Sequence, residues 1–223
     1  MTATAQAKEG VILLHGLART SASMEKMKAA LTESGYVVAN LDYPSRTAAI
    51  RKLAEDTISA ALQSYSLRDC TRIHFVTHSL GGILVRAYFS EHTDPRLGRV
   101  VMLGPPNRGS EVVDKLKSWT LFQKLNGPAG SELGTEPDST PNQLGAVDFE
   151  LGVIAGDRSI NWINSFYIPG KDDGKVSVER TQVEGMTDHI VIHATHPYLM
   201  KNKNVIRQTL AFLSTGKFEH ETD

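Results

Sequence analysis

The sequence predicts an α/β protein built on a doubly wound, mostly parallel sheet of about six to seven strands flanked by helices. Short apolar runs rich in Val, Ile and Leu recur along the chain, as expected of strands covered on both faces. Amphipathic stretches of helical period lie between them, the alternation of a parallel sheet wound by crossover helices. One run, Ile73-His74-Phe75-Val76, passes through Thr77 and His78 to Ser79 and then to Leu80-Gly81-Gly82. That order describes a buried strand turning sharply into a helix with a hydroxyl at the apex.

In chain order, the strands are expected at Val11–Leu14, Tyr36–Leu41, Ile73–Val76, Arg99–Leu103, Leu151–Ala155, Ser165–Ile168 and His189–His193. The helices are expected at about Ala22–Ser34, Thr47–Tyr65, Gly81–Glu91, Glu111–Leu125 and Pro197–Leu213. Pro197 suits the first turn of the last helix, and Gly216 lies just past its end. Residues 126–145, dense in Gly, Pro, Ser and Thr, break the rhythm and are expected to form a loop. Such a loop is either a lid or pocket wall or a solvated excursion. No repeat or composition shift marks a boundary, so residues 1–223 are expected to form one domain.

Composition narrows the class. A chain of 223 residues, 40% hydrophobic, can bury a sizeable core. The formal net charge is −1, and no basic stripe suggests a nucleic-acid partner. The single cysteine, Cys70, excludes an internal disulfide and a cysteine-rich metal site. No run is long and apolar enough for stable membrane insertion. The segment Met1–Gly10 lacks an apolar signal core, so the chain reads as cytoplasmic. Nothing calls for a metal or an organic cofactor.

Acyl transfer by serine needs a base, a carboxylate to orient that base, and N–H donors for the oxyanion. Ser79 is the candidate nucleophile; the alternative is a helix N-cap serine. Two glycines directly after it weigh against an ordinary cap, because they let the helix start approach a neighbouring strand. Asp172 and Asp173 sit in an Asp-Asp-Gly segment that also suits a plain turn. Asp157, after Leu151–Ala155, is a further acid. Of the eight histidines, His74 lies inside a strand, His78 is expected to point away from the bond-making side, and His92 and His220 have polar surroundings. His189 and His193 flank Ile190-Val191-Ile192, and His196 follows this last expected strand. The apolar spacing of Val112, Val113, Leu116, Trp119, Phe122 and Leu125 suits either packing on the sheet or an acyl groove.

Thr77-His78-Ser79-Leu80-Gly81 resembles the G-x-S-x-G nucleophile elbow of α/β-hydrolases, with Thr77 where the first glycine usually stands. Val11-Ile12-Leu13-Leu14-His15-Gly16-Leu17 resembles the HG-x motif of bacterial lipases and related esterases. Asp173-Gly174-Lys175-Val176 is similar to the lipase acid motif, and Pro105-Pro106-Asn107-Arg108-Gly109-Ser110 to their P-x-R-G-S segment. The likeness runs from about Val11 to Leu213 and implies a small lipase-like serine esterase of the α/β-hydrolase fold without a large cap domain. It implies a triad of Ser79, Asp173 and His196, in the chain order this superfamily uses. Asp172 and His193 are the runners-up. Leu17 and Leu80 would supply the oxyanion N–H groups, and His15 would hold the loop. The implied partner is a small-molecule or lipid ester, and the implied reaction an ester hydrolysis whose rate falls below about pH 6 to 7 as the base is protonated. An amidase, a thioesterase, an acyltransferase or a non-catalytic binding module could use the same frame. Thr77 would crowd the strained turn.

Overall fold

The computed structural model describes residues 8–160, 165 and 168–220. Six strands form one sheet: β1 (Glu9–Leu14), β2 (Val37–Leu41), β3 (Arg72–His78), β4 (Leu97–Leu103), β5 (Leu151–Gly156) and β6 (Asp188–Ile192). Their order is β2-β1-β3-β4-β5-β6 and every pair is parallel. The expected strand 165–168 falls mostly outside the described residues. Its described ends, Ser165 and Ile168, have helical and bent backbone.

The strands read as continuous apolar runs because helices cover both faces. Side chains alternate across a strand, so Ile12, Leu14, Phe75 and Val100 pack on one side with Leu53 and Ile58 of α2 (Ile50–Leu62) and Ile83 and Leu84 of α3 (Leu80–Phe89). Val11, Leu13, Val76 and Val101 face the other side, against Met27 and Leu31 of α1 (Glu25–Glu33) and Phe212 and Leu213 of α7 (Lys203–Thr215). Burying each large apolar side chain contributes about 1.5–3 kcal/mol. No helix among the described residues is long and apolar enough to cross a membrane.

Two helices differ from the expected pattern. The segment expected as one helix over 111–125 is two, α4 (Glu111–Leu116) and α5 (Thr120–Ser131), separated at the extended Trp119. The expected loop 126–145 therefore contains the end of α5, kinked at Gly127, and a short α6 (Thr140–Gln143). The last helix is preceded by a 3₁₀ stretch, His196–Lys201, and restarts at Asn202, whose side chain accepts from the N–H groups of Asn204 and Val205. Gly216 closes it in the left-handed region, φ 79°, the usual role of a C-terminal glycine.

Because all strands are parallel, the loops leaving β1, β3, β4, β5 and β6 all emerge at one edge of the sheet. Open α/β sheets place ligands in the crevice at that edge.

Candidate active site

β3 ends at His78 and α3 begins at Leu80, so Ser79 alone makes the turn, at φ 51° and ψ −118°. Apart from Ala18, it is the one non-glycine with positive φ among the described residues. Such a conformation is costly for a side-chain-bearing residue and persists where its surroundings enforce it. Here the Ser79 N–H donates to the Leu103 carbonyl at 2.9 Å, and the Gly82 N–H returns to the Ser79 carbonyl at 3.0 Å. Gly81 backs onto β1: a Cβ there would stand 2.8 Å from the Leu14 carbonyl oxygen. Thr77 is fully buried within β3, paired with Leu14 and Met102, and its hydroxyl has no hydrogen-bond partner among the described residues. The strand holds the threonine without a left-handed backbone; the strain sits at Ser79.

Asp173 is fully buried. Its Oδ1 accepts from the N–H groups of Lys175 and Val176, each at 3.0 Å, which closes a tight turn. Its Oδ2 lies 2.7 Å from His196 Nδ1, and its carbonyl accepts from the His196 N–H at 2.9 Å. The turn residue and the histidine partner are thus one carboxylate using both oxygens. Among the described residues, the strand that precedes Asp173 is β5. His196 itself follows β6 and is almost wholly buried.

A cavity of about 140 Å³ has Ser79 and His196 in its lining, together with Leu17, Val113, Phe122 and Leu133. No hydrogen bond joins the Ser79 hydroxyl to the imidazole among the described residues. Leu17 follows His15-Gly16 at the end of β1, and Leu80 is the first helical residue, so its N–H has no intrahelical acceptor. The Ala18 N–H, next along, donates to the Ser45 hydroxyl at 3.0 Å, and Ala18 has φ 55°. His15 is buried; its Nδ1 donates to the Gly16 carbonyl at 2.8 Å while Nε2 accepts from the Tyr43 N–H at 3.3 Å. The Tyr43 ring stacks on it at 4.1 Å. Burial holds the His15 imidazole below its ordinary range, against the pull of Asp42.

His78 is not turned away from the site, as expected, but faces it. It lines the cavity, its ring lies 4.7 Å from that of His196, and its Nε2 donates to the His196 carbonyl at 3.0 Å. Burial first, then the charges of His196 and Arg19, push its pKa well below the ordinary value. It is a neutral strut under the His196 backbone.

The alternatives are not brought to the cavity. Asp172 Oδ1 accepts from the Gly174 N–H and the Ser165 hydroxyl. His193 and Asp157 meet each other at 2.9 Å, with the imidazole largely exposed, and neither lines the cavity. Of the apolar stripe on α4 and α5, Val112, Val113 and Phe122 line the cavity, while Trp119 and Leu125 are exposed.

Gly104, just past β4, went unnoticed in the sequence. Its φ is 55°, and a Cβ there would stand 2.9 Å from Asp173 Oδ2 and 3.1 Å from His196 Nδ1. The only signal was a glycine directly after a buried run. Arg86 was equally silent: buried on α3, it donates to the carbonyls of Asn107, Pro141 and Gly145 and to Asn107 Oδ1. It pins the Pro105–Ser110 segment that borders the cavity.

A parallel sheet whose central strand turns through a strained serine into a helix, with a buried His–Asp pair on later loops of the same edge, defines the α/β-hydrolase fold, and the chain is a member of that superfamily. Residues 10–138 match the family model described as palmitoyl protein thioesterase, and the chain belongs to that family. A search of curated proteins finds no match. Among solved structures, the mature form of Bacillus licheniformis lipase BlEst2 is similar with a TM-score of 0.74 and 20% identity, over 95% of this chain and 94% of that one. Phospholipase PlaB from Legionella pneumophila gives 0.68 at 18% identity, over 94% of this chain and 57% of that one. A thermophilic esterase from Thermogutta terrifontis gives 0.64 at 13% identity, over 94% and 91%. At these identities the likeness speaks for the fold alone.

Proposed function

We propose that the chain is a serine hydrolase that cleaves carboxylic esters through an acyl-enzyme intermediate, with Ser79 as nucleophile, His196 as base and Asp173 as orienting acid. The observation that carries this is the 2.7 Å contact of the wholly buried Asp173 with His196 Nδ1, in a cavity wall shared with Ser79. A proton on Nδ1, held by the carboxylate, leaves Nε2 to take the Ser79 hydroxyl proton as the oxygen attacks the ester carbonyl. The imidazolium then passes that proton to the leaving alkoxide. Water repeats the exchange and releases the acid. The N–H groups of Leu17 and Leu80 would receive the oxyanion, and losing one such donor typically costs about 3 kcal/mol. Val112, Val113, Phe122 and Leu133 offer an apolar wall to the acyl group. Residues 1–223 act as one unit in this reading, with Asn126 and Leu133 of the 126–145 segment serving as pocket wall and the substrate a small-molecule or lipid ester.

The family match favours a second reading, thioester cleavage by the same steps with a thiolate as leaving group. The test is one experiment in two arms. Wild type should hydrolyse p-nitrophenyl butyrate and be labelled by a fluorophosphonate at Ser79, mapped by mass spectrometry, and Ser79→Ala should lose both. Undiminished labelling or turnover in that variant refutes the nucleophile. Matched butyryl ester and thioester substrates separate the readings, a preference of about tenfold for the thioester (1.4 kcal/mol) deciding for the second.

A further inference from the structure

The cavity that holds Ser79 and His196 has two cationic side chains in its lining, Arg19 and Lys175, and no acidic one. Neither forms an ion pair among the described residues. The carboxylate that acts on Lys175 is Asp173. That carboxylate is already engaged, one oxygen by His196 and the other by two backbone N–H groups. Lys175 as a residue is solvent-exposed and Arg19 half-buried, yet the protein around the Lys175 ammonium, and then the charge of Arg19, disfavour its charged form. The same Arg19 charge reaches His78 and His15. Two like charges thus stand in the wall of this cavity, with Asp173, already engaged, as the carboxylate that acts on Lys175.

Their placement is fixed by the backbone. Arg19 stands two residues past Leu17; its N–H donates to the Gly16 carbonyl at 3.3 Å, and the preceding Ala18 N–H is held by Ser45. Lys175 stands two residues past Asp173, its N–H on Asp173 Oδ1 at 3.0 Å and its carbonyl accepting from the Ser110 hydroxyl at 2.7 Å. Each cation is therefore anchored to a loop that carries part of the reaction site. A neutral ester would leave their repulsion in place, whereas an anion between them would relieve it and gain charge-assisted hydrogen bonds.

We propose that the ester or thioester taken by this site carries an anionic group, a carboxylate or a phosphate, near its scissile bond, and that Arg19 and Lys175 bind that group. This rests on the triad reading and narrows its substrate class. Two matched pairs test it. With the anion on the acyl side, p-nitrophenyl hemiglutarate is compared with its methyl ester. With the anion on the alcohol side, butyrylglycerol phosphate is compared with butyrylglycerol. At least one anionic partner should be preferred by about tenfold in kcat/KM, the preference shrinking at high salt. Arg19→Gln and Lys175→Gln should each cut that ratio by about tenfold, and Arg19→Lys should keep part of it. Calorimetry with glutarate and with inorganic phosphate reads the subsite without turnover, and the double variant should lose the binding. Ratios near one in both pairs with neither anion bound overturn the proposal, as does a preference that survives the double variant. Failure of the triad looks different. Ser79 would go unlabelled and all substrates uncleaved, while anion binding abolished by the double variant would still support the subsite.

Discussion

Gly104 ties backbone geometry to the chemistry at a single position. Its left-handed φ of 55° already disfavours a side chain, and an added methyl would press on Leu199 Cδ1 and on the two atoms that make the Asp173–His196 hydrogen bond. Gly104→Ala must therefore shift its own backbone or separate that pair. The left-handed conformation costs about 1–2 kcal/mol for an L-residue, and misorienting His196, the proposed base, costs far more in rate than in stability. We expect kcat on p-nitrophenyl butyrate to fall by about 100-fold with the far-UV circular dichroism unchanged. A variant within about threefold of wild type would overturn this expectation and show that the backbone and Leu199 yield while the pair stays joined. Residue by residue, the sequence was most legible where one chemical group has one use. Ser79 between a β-branched run and Leu80-Gly81-Gly82 marks the strand-to-helix turn, and His196 after the last apolar run marks the loop beyond β6. His78 was misread because strand alternation ends at the turn: the residue before the elbow is swung toward the cavity, where it supports His196 through its backbone carbonyl. Thr77 looked like a defect at the turn, yet the turn spares it, since the positive φ falls on Ser79 alone.

Elements were legible by period and misread where a glycine or a buried cation acts through distant backbone. All six strands coincide with apolar runs, and the last of them needed only its flanking histidines to be placed. The α4–α5 break and the continuation past residue 125 were hidden by the Gly-Pro pair. Gly127, at φ 66°, lies so close to the Arg46 carbonyl that no Cβ fits, and Pro128 then starts a fresh turn after the kink. Arg86 shows the other limit. Nothing in Ile83-Leu84-Val85-Arg86 says that a guanidinium will be buried and held by neutral acceptors at both terminal nitrogens, with its Nε unpartnered among the described residues and its pKa lowered by burial to about 10. It ties α3 to the segment after β4 and to the end of α6, both in the pocket's neighbourhood. Arg86→Met keeps much of the volume and removes every donor, leaving the buried carbonyls of Asn107 and Pro141 and the more exposed one of Gly145 without this partner. Urea unfolding should show a loss of about 3 kcal/mol. A loss under about 0.5 kcal/mol would mean that water or another donor takes over the role.

Across the whole molecule, burial sets the pH range in which the fold is most stable. His15, His74, His78 and His189 all have pKa values below the ordinary histidine range, and in each case burial is the largest cause. Glu9 opposes it at His74 and Asp188 at His189, without overcoming it. A histidine harder to protonate folded than unfolded makes the unfolded chain bind more protons below about pH 6.5, so stability is full above that value and falls as pH drops through it. The opposite arm comes from Cys70 and from Tyr36, Tyr43 and Tyr88, whose pKa values burial raises. These groups ionise more easily unfolded, and stability is lost once pH rises past about 9 to 10. Asp94, lowered chiefly by its hydrogen bonds from Arg96, contributes fully above about pH 4 and loses that contribution only as pH falls below it, outside the histidine window. The melting temperature should therefore be nearly flat from about pH 7 to 9 and decline on both sides. Its acid decline should be the steeper between about pH 6.5 and 5, because each histidine there can contribute up to about 1.4 kcal/mol per pH unit. Calorimetric unfolding at about pH 5.5, in buffers of different ionisation enthalpy, should register net proton uptake. Net release at that pH, or a melting temperature unchanged down to about pH 5, would mean that the four imidazoles are protonated in the folded protein and that the polar edge of this sheet is far wetter than its packing implies.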